Sequence, residues 1–242
     1  MTRALFAVAV GLGCGCAAHP SPALPTQAEW RAARAWLGEL RASQPVLPFG
    51  AIVRVELRDP RSGRALSARG AVAVDPHRAM RMVLLGPAGS TALDVWATAD
   101  LWRFEAPAAQ MLRRGGQDDD PTLPIGFFRW WFLAPLDGRL LTAVAGTGSE
   151  RFILRRGADI IDLTDTQDGT GHVVTASRRA QGWVDRIDFR GAALGAEPGD
   201  RATYDHEASG VHVEVLVESL SGTPEPAAFA DPDGPGGERV GR

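Results

Sequence analysis

Residues 118–138 read DDDPTLPIGFFRWWFLAPLDG. Leu123, Ile125, Phe127, Phe128, Trp130, Trp131, Phe132 and Leu133 cover nearly every side of a short helix there, and Arg129 is the one charge among them. Asp120 before Pro121 has the pattern of an N-cap followed by proline at the first helical position. Asp118, Asp119 and Asp120 together suit the positive end of the helix dipole. Pro135 stops the helix, because proline has no N–H to continue it. About a dozen residues at 1.5 Å each do not cross a bilayer. A helix that is apolar all round is buried on all sides or faces something apolar that is not protein.

On both sides of this segment the hydrophobic period is two. Phe49, Ala51, Val53, Val55 and Leu57 alternate with Ile52, Arg54, Glu56 and Arg58, the pattern of a half-buried strand. Similar short runs lie at 66–74, 81–85, 91–96, 101–105 and 110–113 before the segment. After it they lie at 140–145, 151–155, 160–163, 172–177, 183–189, 201–207 and 211–218. Turn sequences join them: Asp59-Pro60-Arg61-Ser62-Gly63, Asp75-Pro76-His77, Arg156-Gly157 and Asp168-Gly169. Serial short strands with tight turns predict an antiparallel meander, barrel-like or strongly curved. A helix precedes the first strand. Thr26 and Glu29 have the spacing of a capping box, Trp30, Ala33, Leu37 and Leu40 share one helical face, and Pro45 and Pro48 end it.

The chain has 242 residues, 45% hydrophobic and 23% charged, with a net charge of −3. That suits one domain with a substantial core, and the absence of a basic patch argues against nucleic acid as a partner. Residues 1–13 have the make-up of an export signal: Arg3 supplies the positive region and Ala4 to Gly13 a short apolar one. Both cysteines, Cys14 and Cys16, follow directly. The rest of the chain therefore offers no disulfide, thiol nucleophile or cysteine metal site. Small residues ending in Cys after an apolar run resemble the lipobox of bacterial lipoproteins, with Cys14 as the acylated residue and Cys16 as the alternative. Residues 14–25 then read as lipid anchor and Pro-rich tether, 26–220 as the folded domain, and 221–242, rich in Gly, Pro and acidic residues, as a mostly disordered tail from which Phe229 can fold back.

No arrangement of residues points to catalysis. His-Glu-x-x-His, Gly-x-Ser-x-Gly and phosphate-loop patterns are absent. Gly146-Thr147-Gly148-Ser149 reads as a hairpin turn. His206 and His212 flank another turn, and two histidines alone make a poor metal site. Asp162, Asp165 and Asp168 are spaced by three, whereas a calcium loop uses alternate positions. The chain is thus expected to be no enzyme and to hold no metal or cofactor.

Three stretches resemble the LolA/LolB lipoprotein-carrier superfamily, and its LolB branch in particular. They are the lipoprotein signal; MVLLGPAGSTALDV (82–95), which matches the family's strand–tip–strand; and LPIGFFRWWFLAPLDG (123–138), where Arg129, Trp131 and Leu133 fall on the family's Arg, Trp and Leu. The resemblance covers about residues 27–220. It implies a mainly β fold with helices (α+β): an antiparallel half-barrel of about eleven strands closed by the N-terminal helix and a short lid helix. It further implies an apolar cavity that receives acyl chains without a reaction, and Phe127, Trp130, Trp131, Leu84 and Val95 are the residues expected to line it. Pro87, Ala88 and Gly89 form the membrane- or partner-facing tip. The implied partners are acylated lipoproteins or lipids, together with a periplasmic LolA-like carrier. The protein is expected to be a monomer, lipid-anchored on the periplasmic face of the outer membrane; neither cysteine is followed by Asp, which by family analogy favours that membrane. The tip departs from the family. LolB proteins carry an exposed Leu at its middle position, linked to membrane insertion, where this chain has Ala88, with about a third of the transfer energy by area.

Overall fold

The computed structural model describes residues 25–234, apart from short stretches at 60–62, 118–119, 121, 147, 169–170, 181–182, 192–196 and 207–208. The first element is helix α1 (Gln27–Ala42). Its capping box is formed: Glu29 N–H donates to Thr26 Oγ1, and Thr26 N–H donates to Glu29 Oε2 at 2.6 Å. Ala33, Leu37 and Leu40 are buried, as their shared face predicts, while Trp30 is half-exposed. These reciprocal bonds satisfy two of the amide donors that a helix start leaves unpaired.

Strands β1 (Phe49–Asp59), β2 (Arg64–Asp75), β3 (Ala79–Leu85), β4 (Thr91–Thr98), β5 (Trp102–Ala106) and β6 (Met111–Gly115) follow in sequence. Helix α2 (Ile125–Leu133) interrupts them. Then come β7 (Arg139–Gly146), β8 (Ser149–Arg156), β9 (Asp159–Asp168), β10 (Gly171–Ala180), β11 (Trp183–Gly191), β12 (Arg201–His206) and β13 (His212–Gly222). All belong to one sheet in the order β6-β5-β4-β3-β2-β1-β13-β12-β11-β10-β9-β8-β7. Two meanders are thus joined by a single antiparallel β1–β13 ladder, in which Val53 faces Val217 and Leu57 faces Val213. Among the described residues the strands number thirteen, as many as the period-two runs in the sequence, and not the about eleven that the resemblance implies. The sheet is open, with β6 and β7 as its two edges and α2 as the sequence link between them.

Most inward positions are apolar on both meanders. Val72, Met82, Val95, Leu154, Ile161 and Val215 are all buried at 1% exposure or less and belong to one continuous core with both helices. Alternation in the sequence is thereby turned into an inner and an outer face.

Two expectations are corrected. Asp120 does not cap α2. The helix starts four residues beyond Pro121, at Ile125, with Pro124 in the cap position and no side-chain cap; Asp120 Oδ1 instead accepts from Thr122 N–H and Thr122 Oγ1 in a local turn. A short polar side chain competes well for nearby backbone in such a turn. The C-terminal tail is also ordered further than its composition predicts. Residues 226–229 form a 3-10 turn against β2 and β3, and the Trp96 indole N–H donates to Phe229 O at 2.9 Å. Specific partners on the sheet outweigh the disorder-prone composition. Asp118, Asp119, residues 1–24 with Cys14 and Cys16, and residues 235–242 lie outside the described residues.

Strand packing leaves a clear trace at Gly70. A Cβ there would stand 1.9 Å from Val83 O and 2.7 Å from Leu84 Cα. Backbone cannot yield as a flexible side chain does, so Gly70→Ala is expected to lower unfolding free energy by about 1–3 kcal/mol. Gly38 is the opposite case: it is exposed inside α1, and an added Cβ would meet no neighbouring atom within 4 Å. Gly38→Ala is expected to raise stability by about 0.5–1 kcal/mol. Urea unfolding of the two variants beside the wild type checks both signs.

Candidate functional site: an aromatic helix seated in the curved sheet

All nine residues of α2, IGFFRWWFL, are buried. The rings form a chain of contacts: Phe127 lies 5.2 Å from Phe128 and 6.0 Å from Trp131, and Trp131 stacks on Phe132 at 4.3 Å. Phe127 also meets Tyr204 of β12 at 6.0 Å. Such ring pairs add about 0.5–1.5 kcal/mol each beyond their area.

Polar groups hold both flanks of the helix. The Arg129 guanidinium donates to Gln117 O at 3.0 Å, to Gly116 O at 3.4 Å and to Ala99 O, so it joins α2 to two turns at the end of the first meander. The Trp130 indole N–H donates to Pro135 O at 3.1 Å, and His77 N–H donates to Leu133 O at 3.2 Å. Arg41 of α1 donates to Leu136 O and Gly138 O just beyond α2. The loop that follows the helix is therefore clamped from the opposite side.

Beneath Trp130 lies a buried ion pair. Arg178 and Asp185 face each other on β10 and β11, 2.5 Å apart at closest, with side chains 3% and 0% exposed. The Arg178 guanidinium sits 5.1 Å from the Trp130 ring centre, within cation–π range. Asp185 in turn pairs across β11–β12 with Tyr204. Burial, reinforced by the Asp185 charge, pushes the Tyr204 phenol up to about 12. A second polar contact lies under α1, where the Trp36 indole N–H donates to buried Asp165 at 2.5 Å.

All five residues expected to line an acyl cavity gather in this one core. Phe127, Trp130 and Val95 are 0% exposed, Leu84 2% and Trp131 3%. Side chains bordering a space wide enough for water would show accessible surface. These show almost none, so in this closed arrangement α2 is a plug packed onto the sheet and not a roof above a hollow. Removing the plug would free a cylinder on the order of 1,000 Å³, from a helix about 10 Å wide rising 1.5 Å per residue. That matches the upper size of small-molecule pockets.

The tip is a tight exposed turn. Gly86 N–H donates to Ser90 O at 2.7 Å and Gly89 N–H to Gly86 O at 3.2 Å. Ala88, Gly89 and Ser90 are exposed, and Ala88 and Gly89 adopt left-handed φ of 63° and 76°. Pro87 starts this 3-10 turn. Next to it, on the outer face, Ile52, Arg69, Gly70, Ala71, Val83 and Leu85 line an open apolar groove of about 490 Å³. The histidines part company: His206 Nδ1 bonds Ser209 Oγ and His212 Nδ1 bonds Asp205. Among the described residues no group of three or more His, Cys, Asp or Glu is placed to hold a metal, and no helix is long and apolar enough to cross a membrane.

A LolA superfamily protein from Nitrosomonas europaea superposes over 82% of this chain and 97% of its own, with a TM-score of 0.55 at 13% identity. The chain has the fold of the LolA superfamily. A DUF1329 family protein from Desulfovibrio piger (TM-score 0.49, 10% identity, 83% and 96% covered) and an outer membrane lipoprotein-sorting protein domain from Vibrio parahaemolyticus (0.42, 11%, 81% and 97%) are more distant in shape. No family model matches the sequence, and no curated protein does.

Within this LolA-type fold, two site features went unread in the sequence. Arg178 continues the inward series Val174, Ala176, and Asp185 precedes inward Ile187. Strand alternation alone could have marked both as buried charges. Tyr204 gives a direct test of the packed site, because it is the one tyrosine of the chain. Its absorbance titration is expected to have a midpoint of about 12 while folded, against about 10 when unfolded. The neutral phenol is favoured by folding. Its contribution is thus full below the unfolded value and is lost as pH rises through the folded one. Trp130→Ala is expected to cost about 3–5 kcal/mol in urea unfolding.

Proposed function

We propose that this chain is a lipid-anchored protein of the outer membrane, facing the periplasm, that takes acyl chains of lipoproteins under α2 and helps to localise them to that membrane. The observation that carries the reading is a helix with no polar face, buried whole inside an open curved sheet. The LolA-type fold supports it. Burial of a long acyl chain yields on the order of 10 kcal/mol at about 0.8 kcal/mol per methylene. Re-exposing a Phe or Trp costs roughly 1.5–3 kcal/mol per side chain. A few aromatic residues swinging out are therefore close in energy to one acyl chain swinging in. An exchange so nearly balanced suits a carrier, which must release as well as bind. Acylation at Cys14, with Cys16 as the alternative, would keep the domain at the membrane through the 14–25 tether. A periplasmic LolA-like carrier is the proposed donor, and the chain works as a monomer without chemistry or cofactor.

A second reading, a carrier of free lipid or glycolipid, is favoured by Ala88 at the tip, which gives little apolar area for insertion. A third, an envelope lipoprotein with a filled core and no ligand, is favoured by the near-zero exposure of the plug residues.

A dansylated triacyl lipopeptide, a dansyl fatty acid and the unacylated peptide separate the three. The full chain is expected to bind the lipopeptide, with energy transfer from tryptophan to dansyl, and Arg129→Ala to bind it at least about fivefold tighter, since the plug loses its carbonyl ties. Preference for the fatty acid moves the assignment to the second reading. No binding by the wild type or by a folded Arg129→Ala chain leaves the third. Labelling in cells with an alkynyl fatty acid is expected to mark the wild type and Cys16→Ala but not Cys14→Ala.

A further inference from the structure

The outer face of the sheet, away from α2, carries a row of basic and aromatic side chains. Arg81, Trp96, Arg103 and Arg114 occupy directly paired positions on β3, β4, β5 and β6. Like charges directly opposite each other on neighbouring strands repel, and Arg103 and Arg114 are such a pair. The same problem occurs at Arg54 and Arg69, paired on β1 and β2, and there Glu218 of β13 bridges both at 2.5 Å. That bridge comes from within the sheet. The bridge between Arg103 and Arg114 does not. It is Asp233 of the C-terminal tail, with Oδ2 3.0 Å from Arg103 Nε and 2.8 Å from the Arg114 guanidinium.

The tail makes the rest of the contact in the same manner. Asp231 reaches Arg114 at 2.6 Å, so Arg114 holds two carboxylates of the tail. Phe229 O takes the Trp96 indole N–H, and Pro232 is buried between the two acidic residues. On the sheet itself, Arg81 is held by Asp94 in two bonds, and Arg103 by Asp94 and Glu105. Three arginines thus face two in-sheet carboxylates, and the tail adds two more, Asp231 and Asp233. Residues 226–233 belong to none of the strand ladders among the described residues; they lie on the sheet as a peptide lies on a receptor.

We infer that the Trp96–Arg103–Arg114 row is a docking site for an extended acidic segment of a partner protein, two carboxylates flanking a proline, and that this chain's own residues 226–233 occupy it in cis. Trp96 fixes the direction of the segment through one backbone carbonyl, and Arg103 and Arg114 read the acidic pair. Guanidinium–carboxylate geometry supplies the specificity. Tethering raises the tail's local concentration to the millimolar range, so a partner must present the motif in high local concentration or with further contacts. The site is on the opposite face from α2 and does not depend on the acyl-chain reading.

The test uses the full chain and the variant D231N/D233N, with a fluorescein-labelled peptide of residues 223–234 as probe. In the variant, amide hydrogen exchange over 226–234 is expected to speed up while the strands keep their protection. Fluorescence anisotropy is expected to show the probe binding the variant at least about tenfold tighter than the wild type. Binding should weaken by a similar factor at about 1 M salt, where the Debye length is roughly 3 Å. A probe with both aspartates replaced by asparagine should not bind, Arg114→Glu in the variant background should abolish binding, and Arg114→Lys should keep part of it. Unchanged exchange in D231N/D233N overturns the inference. So does a released tail with no probe binding, equal binding of the asparagine probe, or equal binding to wild type and variant. A wild type that is a dimer with exchanged tails would make the occupant a second copy and overturn the cis assignment.

Discussion

A nine-residue helix with aromatic or aliphatic groups on every side cannot rest on a flat sheet, which covers only one of its faces. The helix α2 also links the two edge strands, β6 and β7. Both conditions are met together if the sheet curls until strands from both meanders reach the helix. Val95 and Leu84 then meet it from one meander, Tyr204 and Arg178 from the other. The curl follows from the right-handed twist that antiparallel strands already have.

Grease alone would leave the helix free to rotate and slide. The polar contacts fix it. Arg129 binds three carbonyls from two turns, and Arg178 meets the Trp130 face while paired with Asp185. Buried charges of this kind add little net stability, since desolvation offsets most of their attraction. They penalise every arrangement in which a charge loses its partner. The site thus combines a large, non-directional apolar term with a few directional bonds that select one seating. The strand ladder does not run through the plug.

The two faces of the sheet follow different rules. Among the described residues most inward positions are apolar, and the Arg178–Asp185 pair and Asp165 are buried charges among them. The outer face carries arginine pairs bridged by a shared carboxylate, Glu218 from a neighbouring strand and Asp233 from the tail. Arg54 and Arg69 together hold the Glu218 carboxyl below its ordinary range: the hydrogen bond from Arg69 dominates, and partial burial opposes it.

Several local signals were legible. The Thr26–Glu29 box, the period-two runs and the all-round apolarity of residues 125–133 depend on neighbours in sequence and hold in the structure. The residues expected to line the cavity, Phe127, Trp130, Trp131, Leu84 and Val95, all belong to one cluster. What periodicity could not say is whether that cluster encloses space, since a packed core and a lined cavity have the same alternation. Only the three-dimensional fit of side chains decides that, and here it closes the gap. The same holds for Asp120, taken up by a local turn, and for the tail, whose composition predicts disorder until Arg103 and Arg114 are brought side by side. Sequence alone determined which strand residues turn inward, because that depends on local backbone chemistry. Tertiary structure alone decided what the inward and outward residues touch, because β1 joins β13 and Asp233 reaches Arg103 only after some hundred and more residues of chain have folded back.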